Sequence, residues 1–275
     1  MDTKITSKPE EEIQKHLGLA SQVRKVESGW LLVLAVVAIL VILVVTVPDP
    51  YMNMLKFFRD GIWVTIYVTL ISFFLVLFVG LVGGLARLSS NRIIRGLATV
   101  YVEVIRGIPL MVQLIFWYFA LPSIIRDFGA TIGSDALANY QTIPIAMAIF
   151  GLTVGYGAYM SEVVRAGIQS IGKGQMEAAR SLGMTYFQAM RYIILPQAFR
   201  VILPPIGNEF VTLLKDSSLV SVVSVADLTR RGREFNASHF MPIETWTMVA
   251  LVYLVMTLFT ARLVSYTERI TKMER

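Results

Sequence analysis

Six runs of apolar residues, at 31–47, 62–86, 98–121, 143–164, 201–224 and 246–266, constrain this chain more than any other feature. Each approaches or exceeds the roughly 20 residues that an α-helix needs to cross a bilayer. Unpaired backbone groups in hydrocarbon cost several kcal/mol each, and no ten-residue alternation suggests a barrel, so the spans must be helical. The expected fold is therefore all-α, a polytopic transmembrane bundle of about six spans. The first run is the shortest, yet Thr46-Val47-Pro48-Asp49-Pro50 offers no small-x-small cleavage site, and it is expected to be a retained helix rather than a signal peptide.

The basic residues fix a sidedness. With the N-terminus placed inside, 17 of the 25 Lys and Arg fall on inner segments. Only six fall outside: Lys56, Arg59, Arg126, Arg230, Arg231 and Arg233. By the positive-inside bias, both termini and the segment 173–200 are expected to be cytoplasmic. The net charge of +6 is scattered among apolar spans and forms no stripe with interleaved aromatics, which argues against nucleic acid. There is no cysteine, His16 and His239 lack ligand-like spacing with carboxylates, and no metal site is expected. The GxxxxGK[ST] phosphate loop is absent, so the chain is not expected to hydrolyse nucleotide itself. The expected layout is a cytoplasmic tail to residue 29, an N-terminal helix and outer loop over 30–58, a main transmembrane domain over 59–268 and a short cytoplasmic tail. Two further outer stretches, 123–142 and 227–245, read as loops long enough to contact something beyond the membrane.

The stretch 173–200 is amphipathic and too polar to span. Glu177, Ala178 and Ala179 open a helical turn, with the acid near unpaired N–H groups. Their small alanine side chains would let a partner approach the backbone. Gly183 permits a sharp turn before a second helix, and Pro196 marks the approach to the next span. An interfacial helix on lipid headgroups would explain Glu-Ala-Ala alone. The complete pattern adds Gly183, Ile193, Leu195 and Pro196, fixing seven positions over twenty residues.

That pattern resembles the coupling loop of ABC importer permeases, the membrane subunits driven by a separate ATPase. The resemblance extends to YVEVIRGIPLMVQ (101–113), AYMSEVVRAGIQSIGKGQ (158–175), Leu203-Pro204-Pro205, Asn208 and Lys215-Asp216-Ser217-Ser218-Leu219. Together these point to the polar amino acid branch, which imports histidine, arginine, glutamate, glutamine and related compounds. The resemblance implies a five-helix core with one added N-terminal helix, and ATPase coupling through Glu177, Ala178, Ala179, Ser181, Leu182 and Gly183. It also implies ATP and Mg on partner ATPase subunits, an extracytoplasmic amino-acid-binding protein, and a second permease copy or paralogue in the inner membrane. The helix at 31–47, the loop at 123–142 and the arginines at 230–233 depart from the minimal core.

Ionisable groups inside spans are costly and read as paired or functional. Glu103 with Arg106, and Glu162 with Arg165, are spaced to meet on one helix face, as structural ion pairs or as substrate contacts. Asn208, Glu209, Thr212, Lys215 and Asp216 share an arc of about 120° on an otherwise apolar helix. Such a stripe would suit a water-accessible pathway whose charges meet the ammonium and carboxylate of an amino acid; an inter-helix polar contact is the alternative. The rival functions are another importer branch, for methionine or sulfonate, and a secondary transporter, which would call for inverted repeats that the sequence lacks. An intramembrane enzyme finds no nucleophile, base or metal cluster to support it.

Overall fold

Helices α1 (Gly29–Thr46) and α2 (Pro48–Arg87) are separated by one non-helical residue, Val47. They open a bundle that contains no strand among the residues described, 29–273 of this computed structural model. The remaining helices are α3 (Arg92–Gly107), α4 (Leu110–Ile115), α5 (Leu121–Ile132), α6 (Asp135–Ala138), α7 (Pro144–Gln169), α8 (Lys173–Ser181), α9 (Tyr186–Ala189), α10 (Leu195–Asp216), α11 (Leu228–His239) and α12 (Pro242–Met273). Among the described residues, five helical stretches are long and apolar enough to cross a bilayer: α1, α2, Leu110–Ile132, α7 and Pro242–Arg269. The fifth run of the sequence, 201–224, becomes α10, whose 22 residues suffice in length. Arg200, Glu209, Lys215 and Asp216 dilute its apolar character, so it falls short by composition.

The centre of the bundle is the α2–α7 pair. On α2 the buried positions Thr65, Val68, Ser72, Val76, Gly80 and Gly84 repeat every three or four residues, one face of a helix. Glycines on both partners bring the backbones together: a Cβ at Gly80 would overlap Met160, and one at Gly157 would lie 2.6 Å from Val79 Cγ1. Lipid is as apolar as these side chains, so close packing rather than removal from water holds such a pair. Val68, Val76, Leu114, Leu152, Tyr156, Met160, Leu213 and Val220 form the adjoining core, which joins α2 and α7 to α4 and α10.

Several expectations change. The third run is not one helix over 98–121: it breaks at Ile108-Pro109, where proline cannot continue the hydrogen-bond ladder. Helix then resumes without interruption from Leu110 to Ile132 through a π-helical turn, Phe116–Ala120. Residues 123–132 of the supposed loop 123–142 therefore belong to a helix, ended by Gly133 at φ +69°. No loop separates the first two spans either, and the boundary set at 58/59 falls inside α2. Met54 and Phe58 are buried there against Val44, Leu228, Phe235 and Met248. Likewise 227–245 is mostly α11, whose first N–H groups, those of Thr229 and Arg230, donate to the capping carboxylate of Asp227. The cytoplasmic tail expected before residue 29 lies outside the described residues.

Candidate functional site: an exposed hairpin and a charged cleft

The segment 173–200 folds as a hairpin of short helices. Helix α8 ends in a Schellman motif, with Gly183 N donating to Arg180 O and Met184 N to Ala179 O. Gly183 sits at φ +84°, where a Cβ is penalised. Thr185 then caps α9 in a reciprocal box with Gln188. Glu177, Ala178, Ser181 and Gly183 are exposed, and Leu182 is 83% exposed. Ala179 departs from expectation: at 4% exposure it faces the permease itself, seating α8 rather than presenting a surface to a partner. Ile168, Ile194, Ala198 and Ile202, with Met176 and Met190, form the apolar base beneath the hairpin.

Beyond the hairpin the chain stays helical from Tyr186 to Asp216, through α9, a π-helical turn at Met190–Ile194, and α10. Pro196 therefore lies within a continuous helical path rather than before a separate span. The far end of that path lines a cleft of about 260 Å³ bounded by Ile108, Leu110, Gln113, Tyr156, Tyr159, Glu209, Thr212 and Asp216. Three members of the predicted stripe thus enter the cleft. Asn208 and Lys215 are exposed on the same helix but outside the lining, and Asn208 O accepts from the Thr212 hydroxyl at 3.0 Å.

The break between α3 and α4 forms one wall of the cleft. Gln113 bridges it, its Nε2 donating to Ile105 O and Ile108 O at 2.8 Å each. These are carbonyls that the interrupted ladder leaves short of donors. Gln113 is 4% exposed, and its Oε1 accepts no hydrogen bond. Across the cleft, Tyr156 donates to Asp216 Oδ2 at 2.6 Å. Gly155 keeps this wall thin, since a Cβ there would lie 2.7 Å from Leu110 Cδ1. The Arg106 guanidinium lies 5.1 Å from the centre of the Tyr159 ring, a cation–π contact at the rim. Glu209 lies within electrostatic reach of Asp216 and Arg106 and forms no hydrogen bond or ion pair with another described residue.

The two expected ion pairs behave differently. Glu103 is exposed and forms no salt bridge with Arg106, which stacks on Tyr159 instead. Glu162 is bound by both Arg165 and Arg87, joining the end of α2 to α7. It lies outside the cleft, in a structural network. Sequence reading missed Gln113, Tyr156 and Tyr159. Pro109 directly after Gly107-Ile108 marked a break, and a glutamine four residues beyond a break is placed to mend it. The tyrosines carried only a spacing of three, which by itself reads as packing. No group of three or more metal-ligating side chains occurs among the described residues.

The family match, and not the bundle by itself, gives the class of protein: a transport permease subunit. The chain belongs to the family described as the binding-protein-dependent transport system inner membrane component, which matches residues 77–272. It is 37% identical over 210 residues to the glutamine transport system permease protein GlnP of Escherichia coli (strain K12), covering 76% of this chain and 90% of that one. It is 35% identical over 204 residues to the arginine transport system permease protein ArtQ of Bacillus subtilis (strain 168), covering 74% and 87%. A solved structure described as an amino acid ABC transporter with histidines superposes with a TM-score of 0.71 at 38% identity, covering 79% of this chain and 95% of that one.

Proposed function

We propose that this chain is the permease subunit of an ATP-driven importer that carries polar or charged amino acids across the bacterial inner membrane. The observation that carries this reading is the helical path from the exposed hairpin at Gly183 to the cleft at Glu209, Thr212 and Asp216. A push on one end moves the other with no loop between them to absorb it.

Glu177, Ala178, Ser181, Leu182 and Gly183 present the docking surface for a separate ATPase, which binds ATP and Mg. Ala179 holds that surface in place. The cleft offers Arg106 to a substrate carboxylate, and Glu209 or Asp216 to its ammonium. An extracytoplasmic binding protein delivers the amino acid, and a second permease copy or paralogue completes the pathway. The Lys and Arg asymmetry supports cytoplasmic termini, with the hairpin on the same side. The kinship to glutamine and arginine permeases supports the cargo class.

The decisive measurement is co-purification of the complex from its native membranes, followed by ATPase assays with the binding protein across amino acids. Hydrolysis stimulated by a liganded binding protein is the expected result. A chain that purifies without an ATPase and transports on an ion gradient alone would overturn the reading in favour of a secondary transporter.

A further inference from the structure

Three of the six basic residues assigned to the outer side, Arg230, Arg231 and Arg233, sit together on α11, against the bias that gathers Lys and Arg inside. Arg230, Arg233, Glu234 and Ala237 recur at intervals of three and four residues, so they share one face of the helix. With Ser221 they bound a shallow hollow of about 350 Å³.

The charges on that face do not cancel. Arg230 and Arg231 both bind the Glu234 carboxylate, at 3.0 and 2.9 Å, and so share one negative charge. Arg233 is exposed, and its Nη2 donates to Ser221 O at 2.8 Å. It forms no ion pair with another described residue, and Glu234 is the one carboxylate among the residues bounding the hollow.

The helix is held firmly from its other side. Leu228 and Phe235 are buried in the core with Met54, Phe58 and Met248, and a Cβ at Gly232 would lie 2.7 Å from Val249 Cγ2. Leu228 N donates to Thr65 Oγ1 at 3.1 Å and the Tyr253 hydroxyl to Asp227 Oδ2 at 3.2 Å, which ties the start of α11 to α2 and α12. A surface fixed in advance loses little freedom when it is engaged. A helix that rests on lipid turns its apolar face outward. Helix α11 turns its own inward and leaves Arg233, Ala237 and Ser238 exposed, which favours a protein partner.

The position favours one partner in particular. Ser221 belongs to the 3-10 helix Ser217–Val223, which directly follows Asp216 of the cleft. A protein seated on Arg233 rests against the segment that leaves the cleft, where cargo has to be handed over. On the importer reading proposed above, we infer that this face of α11 docks an acidic patch of the extracytoplasmic binding protein, with Arg233 as the cation that receives one of its carboxylates. The planar guanidinium matches a carboxylate in a two-bond fork.

The test follows ATP hydrolysis by the permease–ATPase complex in lipid nanodiscs as its liganded binding protein is added. Arg233→Gln should raise the half-stimulating concentration about three- to tenfold and leave hydrolysis without binding protein unchanged. It should also flatten the rise that wild type shows between about 0.1 M and about 1 M salt, over which the screening length falls from about 10 Å to about 3 Å. Ala237→Glu keeps the Arg233–Ser221 bond, adds an opposing charge at an exposed position, and is expected to shift the curve the same way. Arg59→Gln, at an outer arginine whose side chain is 78% exposed, should leave the curve in place. An unaltered half-stimulating concentration in both α11 variants, or an equal shift in Arg59→Gln, would overturn the docking surface and leave the importer reading standing. A shift confined to discs that contain anionic phosphatidylglycerol would overturn it in favour of a lipid headgroup. A wild-type complex that no liganded binding protein stimulates would overturn the importer reading, and this surface with it.

Discussion

Tyr156 on α7 donates a 2.6 Å hydrogen bond to Asp216, the last residue of α10, across a separation of 60 residues in the chain. The bond fastens the cleft end of the helical path to the central α2–α7 pair. Tyr156→Phe keeps the packing of the ring and removes the donor. Hydrogen bonds to charged groups are worth about 1.5–3 kcal/mol, and partial access of water to Asp216 places the expected loss near the lower end. Thermal unfolding of the purified complex should show it as a lower midpoint. An unchanged midpoint would mean that the bond contributes nothing to holding the cleft.

Gly183 adopts φ +84° in the Schellman turn after α8. A β-branched side chain in this region costs about 1–2 kcal/mol and pushes the turn toward another conformation. Gly183→Val is therefore expected to lower uptake per ATP hydrolysed severalfold while the subunit still inserts and assembles. Uptake and hydrolysis are measured together on complexes shown to contain the variant. Equal coupling in wild type and variant would count against the hairpin as the docking element.

Glu162 holds Arg87 and Arg165 at once, and the Arg87 side chain is 13% exposed. Removing one partner from a partly buried pair strands the other's share of charge. Arg87→Met should therefore destabilise the fold by about 1–3 kcal/mol. Arg165 remains to neutralise Glu162, which keeps the loss below that of a fully orphaned charge. Detergent-resistance and unfolding assays report it; substrate affinity should stay the same, because the triad lies outside the cleft.

The parts read correctly from sequence are those in which one residue type has one physical use. Apolar runs of span length admit only helices, and Glu-Ala-Ala with Gly183 fixes a short helix and the turn that ends it. The polar stripe on α10 was visible as periodicity, and three of its five members line the cleft. Hydropathy did not show the break at Ile108-Pro109, because apolar residues continue on both sides and it is blind to a lost hydrogen bond; Pro109 alone signalled it. Tyr156 and Gln113 were hidden for a different reason: their partners, Asp216 and the carbonyls of Ile105 and Ile108, are defined only once helices pack or break. Asp227 before Leu228 was a capping signal, and reading it would have turned the supposed loop into α11.

Glu234 supplies the pH dependence. Burial by itself raises its carboxyl, but hydrogen bonds and charge from Arg230 and Arg231 outweigh burial and hold it below the usual carboxylate range. A lowered folded value means that its contribution to α11 is fully present above the unfolded value, about 4.3, and is lost as pH falls through the folded one. Glu234→Gln should therefore unfold more readily than wild type at pH 7, and the gap should close as the pH is lowered past 4. A gap that stayed constant down to pH 3 would remove the ion pairs as its source.

The π-helical turn at Met190–Ile194 places 31 residues, Tyr186 to Asp216, on one helical path of about 45 Å. Length along such a path is locked to direction around it. Adding or deleting a single residue between Ala189 and Asn208 would swing Glu209 and Asp216 by about 100° relative to the hairpin, turning the acids away from Arg106. A change of length in this interval is therefore expected to cost more than a substitution at one of its exposed positions. On the function proposed, the spacing between Gly183 and Glu209 is itself a functional quantity, as binding as the identity of either residue.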